Sequence, residues 1–279
     1  MRNLIKSDLY RFFKSKQFLI ICIIAGIMAI MAPLLNYILD LIIASLDDKT
    51  LVENIRYSSS SLSSMQNSLN PGSLFGFLLP IFVSIILASD FKDGTIRNKI
   101  ICGISKEKIH LSNFISTLIF ISAIMFSYGL LTFITNVIFF NPVPANVEVS
   151  SFIGNMFLTL LFDALAYIFV ASIILLLVML IRTQGLSAFI YIVVLFGFQL
   201  IGTIIESIIN VINVYETNME GLITFISVFN WINPFYLMGT LSIDKYPTSL
   251  IVSNIITPII WAGINYYLAY LLLKKKDIK

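Results

Sequence analysis

Residues 164–205 read ALAYIFVASIILLLVMLIRTQGLSAFIYIVVLFGFQLIGTII and form two long apolar runs with a single charged residue, Arg182, between them. Each run supplies about the 20 residues that an α-helix needs to cross the hydrocarbon core of a bilayer. Only a few residues separate the runs, so the chain crosses the membrane and returns at once. The stretch therefore predicts two consecutive transmembrane helices and an all-α membrane fold.

The composition of the whole chain favours the same fold. Of its 279 residues, 58% are hydrophobic and 12% are charged, and the mean hydropathy is +0.94. A water-soluble domain of this composition would expose more apolar surface than it could bury. The length allows about six spans with short loops, which predicts one membrane domain over residues 1–279. The predicted spans are residues 18–45, 73–89, 111–140, 152–181, 185–205 and 251–273.

The distribution of lysine and arginine predicts the orientation. Six spans place fifteen of the eighteen basic residues on one side of the membrane. The positive-inside rule assigns that side, with both chain ends, to the cytoplasm. The fifteen are Arg2, Lys6, Arg11, Lys14, Lys16, Lys92, Arg97, Lys99, Lys106, Lys108, Arg182, Lys274, Lys275, Lys276 and Lys279. The pI of about 8.7 reflects this excess and does not indicate a nucleic-acid partner.

Residues 1–16 precede the first span and have an amphipathic pattern of their own. The apolar residues recur at helical spacing, and cations occupy much of the remaining circumference. This pattern predicts an interfacial elbow helix, which lies in the plane of the membrane surface. The alternative is a cytoplasmic leader whose cations act only on topology. The apolar residues are Leu4, Ile5, Leu9, Phe12 and Phe13.

The loop between the second and third spans, residues 90–110, contains the signals of a short helix. An Asp-Gly pair ending at Gly94 indicates a turn. The hydroxyl of Thr95 can cap a helix that begins at the next residue, and Gly103 can end that helix. Ser105 can cap the following helix, which continues into the third span.

One side of this predicted loop helix is apolar. It consists of Ile96, Ile100, Ile101 and Ile104, and polar residues occupy the other side. A short amphipathic helix on the cytoplasmic face can dock into the groove of a partner protein or rest on lipid, and both interpretations stay open on physical grounds.

The segment of residues 206–250 predicts a broken helical pair on the outer side. Its apolar part is interrupted by Asn230, Trp231, Asn233 and Pro234, and the turn of the pair is predicted at Asn233, Pro234 and Phe235. Because proline lacks a backbone donor, such a run does not span cleanly, but it can enter the membrane, turn and leave again. The alternative of two additional spans is disfavoured, since no basic residue lies between them.

The order of these features resembles the membrane subunit of ABC-2 type transporters. The likeness rests on a basic amphipathic N-terminus, an acidic residue followed by Gly-Thr-Ile, a Gly-Ile-Ser-Lys segment and an Asn-Pro-Phe stretch before the last span. In that family the loop forms the coupling helix, which inserts into the nucleotide-binding subunit. The resemblance implies that the coupling loop includes Asp90, Gly94, Thr95, Ile96, Gly103 and Ser105.

The same resemblance implies the partners. We expect two copies of an ABC ATPase, which carry ATP and Mg²⁺, and a second permease chain, identical or related. No Gly-x-x-x-x-Gly-Lys-[Ser/Thr] motif occurs, so no nucleotide cofactor is expected on this chain. The expected location is the plasma membrane, in contact with lipid, of a bacterium of the Gram-positive type. Relatives of this layout commonly export antimicrobial peptides or confer self-immunity, and drug or lipid export is the alternative.

Two carboxylates, Asp40 and Asp163, interrupt apolar runs and are candidates for the substrate path. Both are predicted at outer-leaflet depth, where Asp163 is the better candidate for facing a polar cavity. A second function class would use them as the dyad of an intramembrane aspartyl protease, which requires the two to lie within hydrogen-bonding distance. A third class is a membrane sensor or scaffold that transports nothing.

The remaining polar residues predict little chemistry. His110 has no ligand partner at helical spacing, so a metal role is disfavoured. The two cysteines, Cys22 and Cys102, are expected to be unpaired. Serines 58–61 and 63–64 are interpreted, with Gly72, as an outer linker.

Overall fold

The computed structural model describes residues 1–44, 60–141, 149–214, 220–239 and 248–275. In these ranges the regular structure is entirely α-helical. The helices are α1 Arg2–Lys14, α2 Lys16–Ala44, α3 Ser61–Leu69, α4 Leu74–Lys92, α5 Thr95–Ile101, α6 Lys106–Val137, α7 Val149–Ile181, α8 Gln184–Val214, α9 Glu220–Ile232, α10 Pro234–Gly239 and α11 Thr248–Lys275.

Six candidate membrane spans occur in the described part of the chain, which confirms the predicted all-α membrane fold with six spans. They correspond to α2, the α3–α4 pair, α6, α7, α8 and α11. α7 is the most buried span, and it packs against α11, α6, α4, α8 and α3. α2 and α8 expose many leucine and isoleucine side chains outward, as expected where lipid tails replace water as the solvent.

The N-terminal segment forms a packed helix, α1, that is separate from the first span. At Ser15 the backbone is extended between α1 and α2. The Ser15 hydroxyl donates a hydrogen bond of 2.8 Å to the Phe12 carbonyl and accepts one of 3.2 Å from the Phe18 N–H. The Phe12 ring lies 4.9 Å from that of Phe120 on α6. The in-plane orientation expected of an elbow helix stays a prediction.

The serine-rich segment before the second span is a helix, and the prediction of a linker was wrong for its described residues. Ser60, Ser61 and Ser63 are buried, and α3 packs along α6. Ser60 donates to Ser63 over 2.7 Å. Hydroxyls that pair locally remain compatible with burial, and small residues let helices approach closely, so a serine-rich sequence can line a helix interface. Ser58 and Ser59 lie outside the described residues.

The turn from α3 into α4 depends on Gly76. The Ser73 hydroxyl accepts a hydrogen bond of 3.0 Å from the Gly76 N–H and so caps α4. A Cβ atom at Gly76 would lie 2.5 Å from the Asn70 carbonyl oxygen and 2.8 Å from backbone atoms of Pro71. Backbone atoms cannot move aside as a flexible side chain can, so only glycine fits here.

Replacing Gly76 by alanine is therefore expected to lower the free energy of unfolding by about 1–3 kcal/mol, the usual range for overpacking. Gly154→Ala is the matched control, because a Cβ there meets no atom within 4 Å. Thermal unfolding in detergent measures both. Alanine normally stabilises a helix relative to glycine, so equal or higher stability of the Gly76 variant would contradict the close contact.

The predicted break before the last span is present at Asn233, between α9 and α10. The Asn233 side chain donates 2.7 Å to the Phe198 carbonyl on α8 and accepts from the N–H groups of Phe235 and Tyr236 over 3.2 Å. Pro234 occupies the first position of α10, where its missing N–H costs nothing. The re-entrant depth of the pair stays a prediction. Residues 215–219 and 240–247 of the predicted outer segment lie outside the described ranges.

Candidate functional site

The loop between α4 and α6 has the predicted helix start and end signals, with one difference. Gly94 has φ +66° and is the N-cap of α5, so α5 begins at Thr95 itself and has no side-chain cap. Gly103 has φ +80°, and its N–H donates to the Ile100 carbonyl over 2.9 Å, a pattern that ends helices at glycine. Ser105 caps α6 by accepting from the Lys108 N–H over 3.4 Å.

The four isoleucines of this loop do not share one exposed side, which corrects the sequence-based interpretation. Ile96 is 1% exposed and belongs to the core, whereas Ile101 is 71% exposed. Ile100 and Ile104 are half-buried and pack against the core. Ile96 and Ile100 therefore anchor α5 to its own chain, and Ile104 anchors the turn that follows it. Sequence periodicity could not tell an anchoring isoleucine from an outward-facing one.

The outward face of α5 combines one apolar side chain with polar neighbours. We name it the α5 face and define it as Arg97, Asn98, Ile101 and Cys102, all of which are exposed. These positions lie within one arc of a helix, because residues four apart are neighbours on its surface. A large isoleucine at 71% exposure among polar residues is suited to fill an apolar pocket on another protein.

Two ion pairs join α1 to the helices around this face. Asp8 is buried and accepts from Lys99 of α5 over 2.5 Å and from the Ser112 hydroxyl of α6 over 2.6 Å. Arg11 pairs with Asp90, which is buried near the end of α4. We call Asp8, Arg11, Asp90 and Lys99 the ion-pair cluster. It connects α1 with α4 and α5 directly.

Burial dominates the electrostatics of this cluster. Desolvation lowers the pKa of Arg11, and the carboxylates of Asp8 and Asp93 oppose that change. Desolvation also lowers the pKa of Lys99, against the hydrogen bond that it donates to Asp8. Charges taken out of water are tolerated only with close partners, so each pair depends on both of its members.

Asp8, Arg11 and Lys99 were not singled out from the sequence as site residues, although Asp90 was. The available signal was Asp8, an acidic residue within a segment of cations and apolar residues. The pairing of Arg11 with Asp90 also gives this cation a role beyond topology, which the leader alternative did not include.

Asp40 and Asp163, the two carboxylates predicted for the substrate path, lie in different surroundings. Asp163 on α7 is 3% exposed and accepts a hydrogen bond of 2.9 Å from Gln66 of α3. Asp40 is half-buried on α2, which packs against α6, α4 and α1. The structure thus directs Asp163 toward α3, not toward α2, and the protease dyad has no support. Contact of either carboxylate with a substrate stays a prediction.

His110 lies where α6 meets α11. Its Nε2 atom lies 3.1 Å from the Tyr266 carbonyl oxygen, and its ring centroid lies 4.4 Å from that of Tyr266. This neighbourhood is typical of a packed interior histidine.

Comparison with known proteins identifies the family. A comparison with curated proteins finds no match. A family model described as ABC-2 family transporter protein matches residues 2–278, nearly the whole chain. This match agrees with the six spans and with the loop helix between the second and third of them. The chain therefore belongs to the ABC-2 family of transporter proteins and is a membrane permease subunit of an ABC transporter.

Proposed function

We propose that this chain couples ATP hydrolysis on a separate ABC ATPase to the export of a small amphiphilic substrate, and that the α5 face is its docking surface. The observation that carries the proposal is the exposure of Ile101 on a helix whose other isoleucines are anchored in the chain. Transfer of an exposed isoleucine side chain out of water is favourable, and here it requires a partner that covers the side chain. Full burial of an isoleucine contributes about 1.5–3 kcal/mol to the free energy of binding.

The ion-pair cluster supports a route by which movement of the ATPase could be transmitted from α5 to the spans. When the ATPase moves α5, Lys99 acts on Asp8 of α1, and α1 acts on Asp90 of α4 through Arg11. Buried pairs resist separation, because an unpaired charge in the interior is costly. A displacement of α5 would therefore shift α1 and α4 with it, and it would open the path alternately to the two sides.

The remaining parts of the proposal concern the assembly. Two ATPase subunits, which hold ATP and Mg²⁺, would bind two permease chains, identical or related, in a plasma membrane with both chain ends in the cytoplasm. The charge asymmetry supports this orientation, since fifteen of the eighteen basic residues lie on one predicted side. We propose an antimicrobial peptide as substrate, in export or self-immunity. The alternatives are a drug or a lipid. Transport assays with matched peptides, drugs and lipids would show which of these compounds the protein moves.

Cys102 provides a direct test, because it is a free, exposed thiol within the α5 face. In a Cys22→Ala background, a membrane-impermeant maleimide is expected to label Cys102 in inside-out vesicles and not in intact cells. Addition of the partner ATPase should lower the labelling rate at least about tenfold, since docking excludes reagent from the face.

Two outcomes would contradict the proposal. Labelling of Cys102 in intact cells would overturn the orientation. Labelling in inside-out vesicles at an unchanged rate with saturating ATPase would show that the subunit docks elsewhere. A cysteine substituted for Lys275, which is exposed at the end of α11 and is predicted on the same side of the membrane, is the control for vesicle sidedness.

A further inference from the structure

A buried polar seam joins α3 to α7, away from the α5 face. α7 contributes Thr159, Asp163 and Tyr167, which recur every four residues on one side of the helix and are all buried. Gln66 of α3 donates from Nε2 to Asp163 Oδ2 over 2.9 Å. Tyr167 donates from its hydroxyl to the Leu69 carbonyl of α3 over 2.6 Å.

Two oxygen atoms in this seam have no hydrogen-bond donor among the residues that the structure describes. They are Asp163 Oδ1 and Gln66 Oε1, and both are fully buried. A buried acceptor without a donor forfeits the hydrogen bond that it had in water, so such atoms are rare in folded proteins. Here the two orphan acceptors belong to two groups that already share one hydrogen bond.

One proton on Asp163 would give both of these oxygen atoms a hydrogen-bond partner. An ionised carboxylate only accepts, whereas a protonated carboxyl group gains an O–H donor. A carboxylic acid and a primary amide can then pair through two hydrogen bonds, amide N–H to acid carbonyl and acid O–H to amide oxygen. With the proton on Oδ1 of Asp163, Gln66 Oε1 becomes its acceptor and neither oxygen remains unpaired.

The charges around Asp163 favour the neutral acid. α3 presents Gln66, which is uncharged, and the titratable group beside Asp163 in the described ranges is the phenol of Tyr167 on α7. Tyr167 in turn lies near the phenol of Tyr191 on α8. None of these supplies a positive charge. An ionised carboxylate buried at membrane depth without a counter-ion is expensive.

We propose that Asp163 and Gln66 form a proton-binding site, in which protonated Asp163 and the Gln66 amide hold α3 against α7. Loss of the proton removes the donor of the second hydrogen bond and leaves a buried negative charge, so the seam opens. α3 leads directly into α4, and α4 carries Asp90 of the ion-pair cluster at its other end. The site is independent of which substrate the transporter moves.

The sign of the pH dependence follows from the proton count. If the folded chain holds a proton at Asp163 that the unfolded chain has released, stability decreases as the pH rises. Asp163→Asn replaces the acid by an amide that can make the same two hydrogen bonds with Gln66 but does not titrate. We expect the folding equilibrium of the wild-type chain to fall relative to that of Asp163→Asn by about tenfold for each pH unit in the range where Asp163 keeps its proton.

The experiment compares unfolding of the full chain in lipid nanodiscs across mildly acidic to alkaline pH. The matched control is Asp40→Asn, which removes a carboxylate from another span, α2, and is expected to keep the wild-type pH dependence. Parallel curves for wild type and Asp163→Asn would overturn the proposal.

Infrared difference spectroscopy provides a second readout. The wild-type chain should show the carbonyl band of a protonated carboxyl group at neutral pH, and Asp163→Asn should lack it. If that variant does not fold, Gln66→Leu removes the acceptor of the proton and should shift the band. Absence of the band in the wild-type chain would disprove the protonated state, whatever the variants do.

Discussion

Replacing Ile101 by aspartate is expected to abolish stimulation of the partner ATPase while the permease still folds and inserts. Ile101 is 71% exposed, so the change removes no contact from the interior of the chain. Within an interface it would place a charge in the pocket that received an isoleucine. A central apolar anchor commonly accounts for about 2 kcal/mol or more of binding energy, which is about thirty-fold in Kd. Copurification measures the binding of the ATPase, and ATP hydrolysis in proteoliposomes measures its stimulation.

Ile96→Asp is the contrasting variant on the same helix. Ile96 is 1% exposed, so a charge there destabilises the chain itself and should lower its thermal unfolding temperature. Ile101→Leu keeps an apolar side chain of equal size and should retain coupling. Normal ATPase stimulation by Ile101→Asp, in a chain that binds the ATPase as the wild type does, would exclude the α5 face as the docking surface.

Replacing Arg11 by glutamine is expected to destabilise the chain by about 3–5 kcal/mol, because it leaves Asp90 buried without its counter-ion. Asp90 has a side-chain exposure of 1%. The double variant Arg11→Gln/Asp90→Asn removes both charges, so it should recover most of the loss. Thermal or denaturant unfolding of the purified chain measures the change.

Arg2→Gln is the matched control for this pair. Arg2 lies on the same helix, is exposed, and should change stability little, as exposed charges usually do. If the double variant were as unstable as Arg11→Gln alone, the two side chains would not act as a pair. The route from α5 through α1 to α4 would then lose one of its two links.

The transmembrane architecture was predictable because it depends on a property that each residue carries alone. Six long apolar runs require helices in a bilayer, since hydrocarbon cannot satisfy backbone hydrogen bonds. The same holds for Gly103 and Ser105, whose roles at helix ends are local. The helix break at Asn233 was also predictable, since an Asn-Pro pair ends one helix and starts the next.

What the sequence could not supply were the pairings between distant helices. Gln66 and Asp163 are 97 residues apart, and Lys99 and Asp8 are 91 apart. Nothing in the local pattern of either partner indicates the other. The linker prediction for the serines of α3 was wrong for the same reason. Their polarity suggested solvent, while a partner such as Asn136 on α6, which accepts from Ser64, lies far away in the sequence. Ile101 and Ile100 are chemically identical, and only packing distinguishes them.

The two glycines with positive φ that bracket α5 have a consequence for which residues of this loop can vary. Gly94 and Gly103 have positive φ angles that residues with a side chain rarely adopt, and they mark the two ends of the seven-residue helix Thr95–Ile101. Ile96 and Lys99 hold the helix to the rest of the chain, so substitutions that leave the membrane-embedded helices undisturbed are expected only at the outward positions. These positions are Arg97, Asn98 and Ile101. If the ATPase docks on the α5 face as we propose, a permease could change its ATPase partner by altering only these outward positions of one short helix.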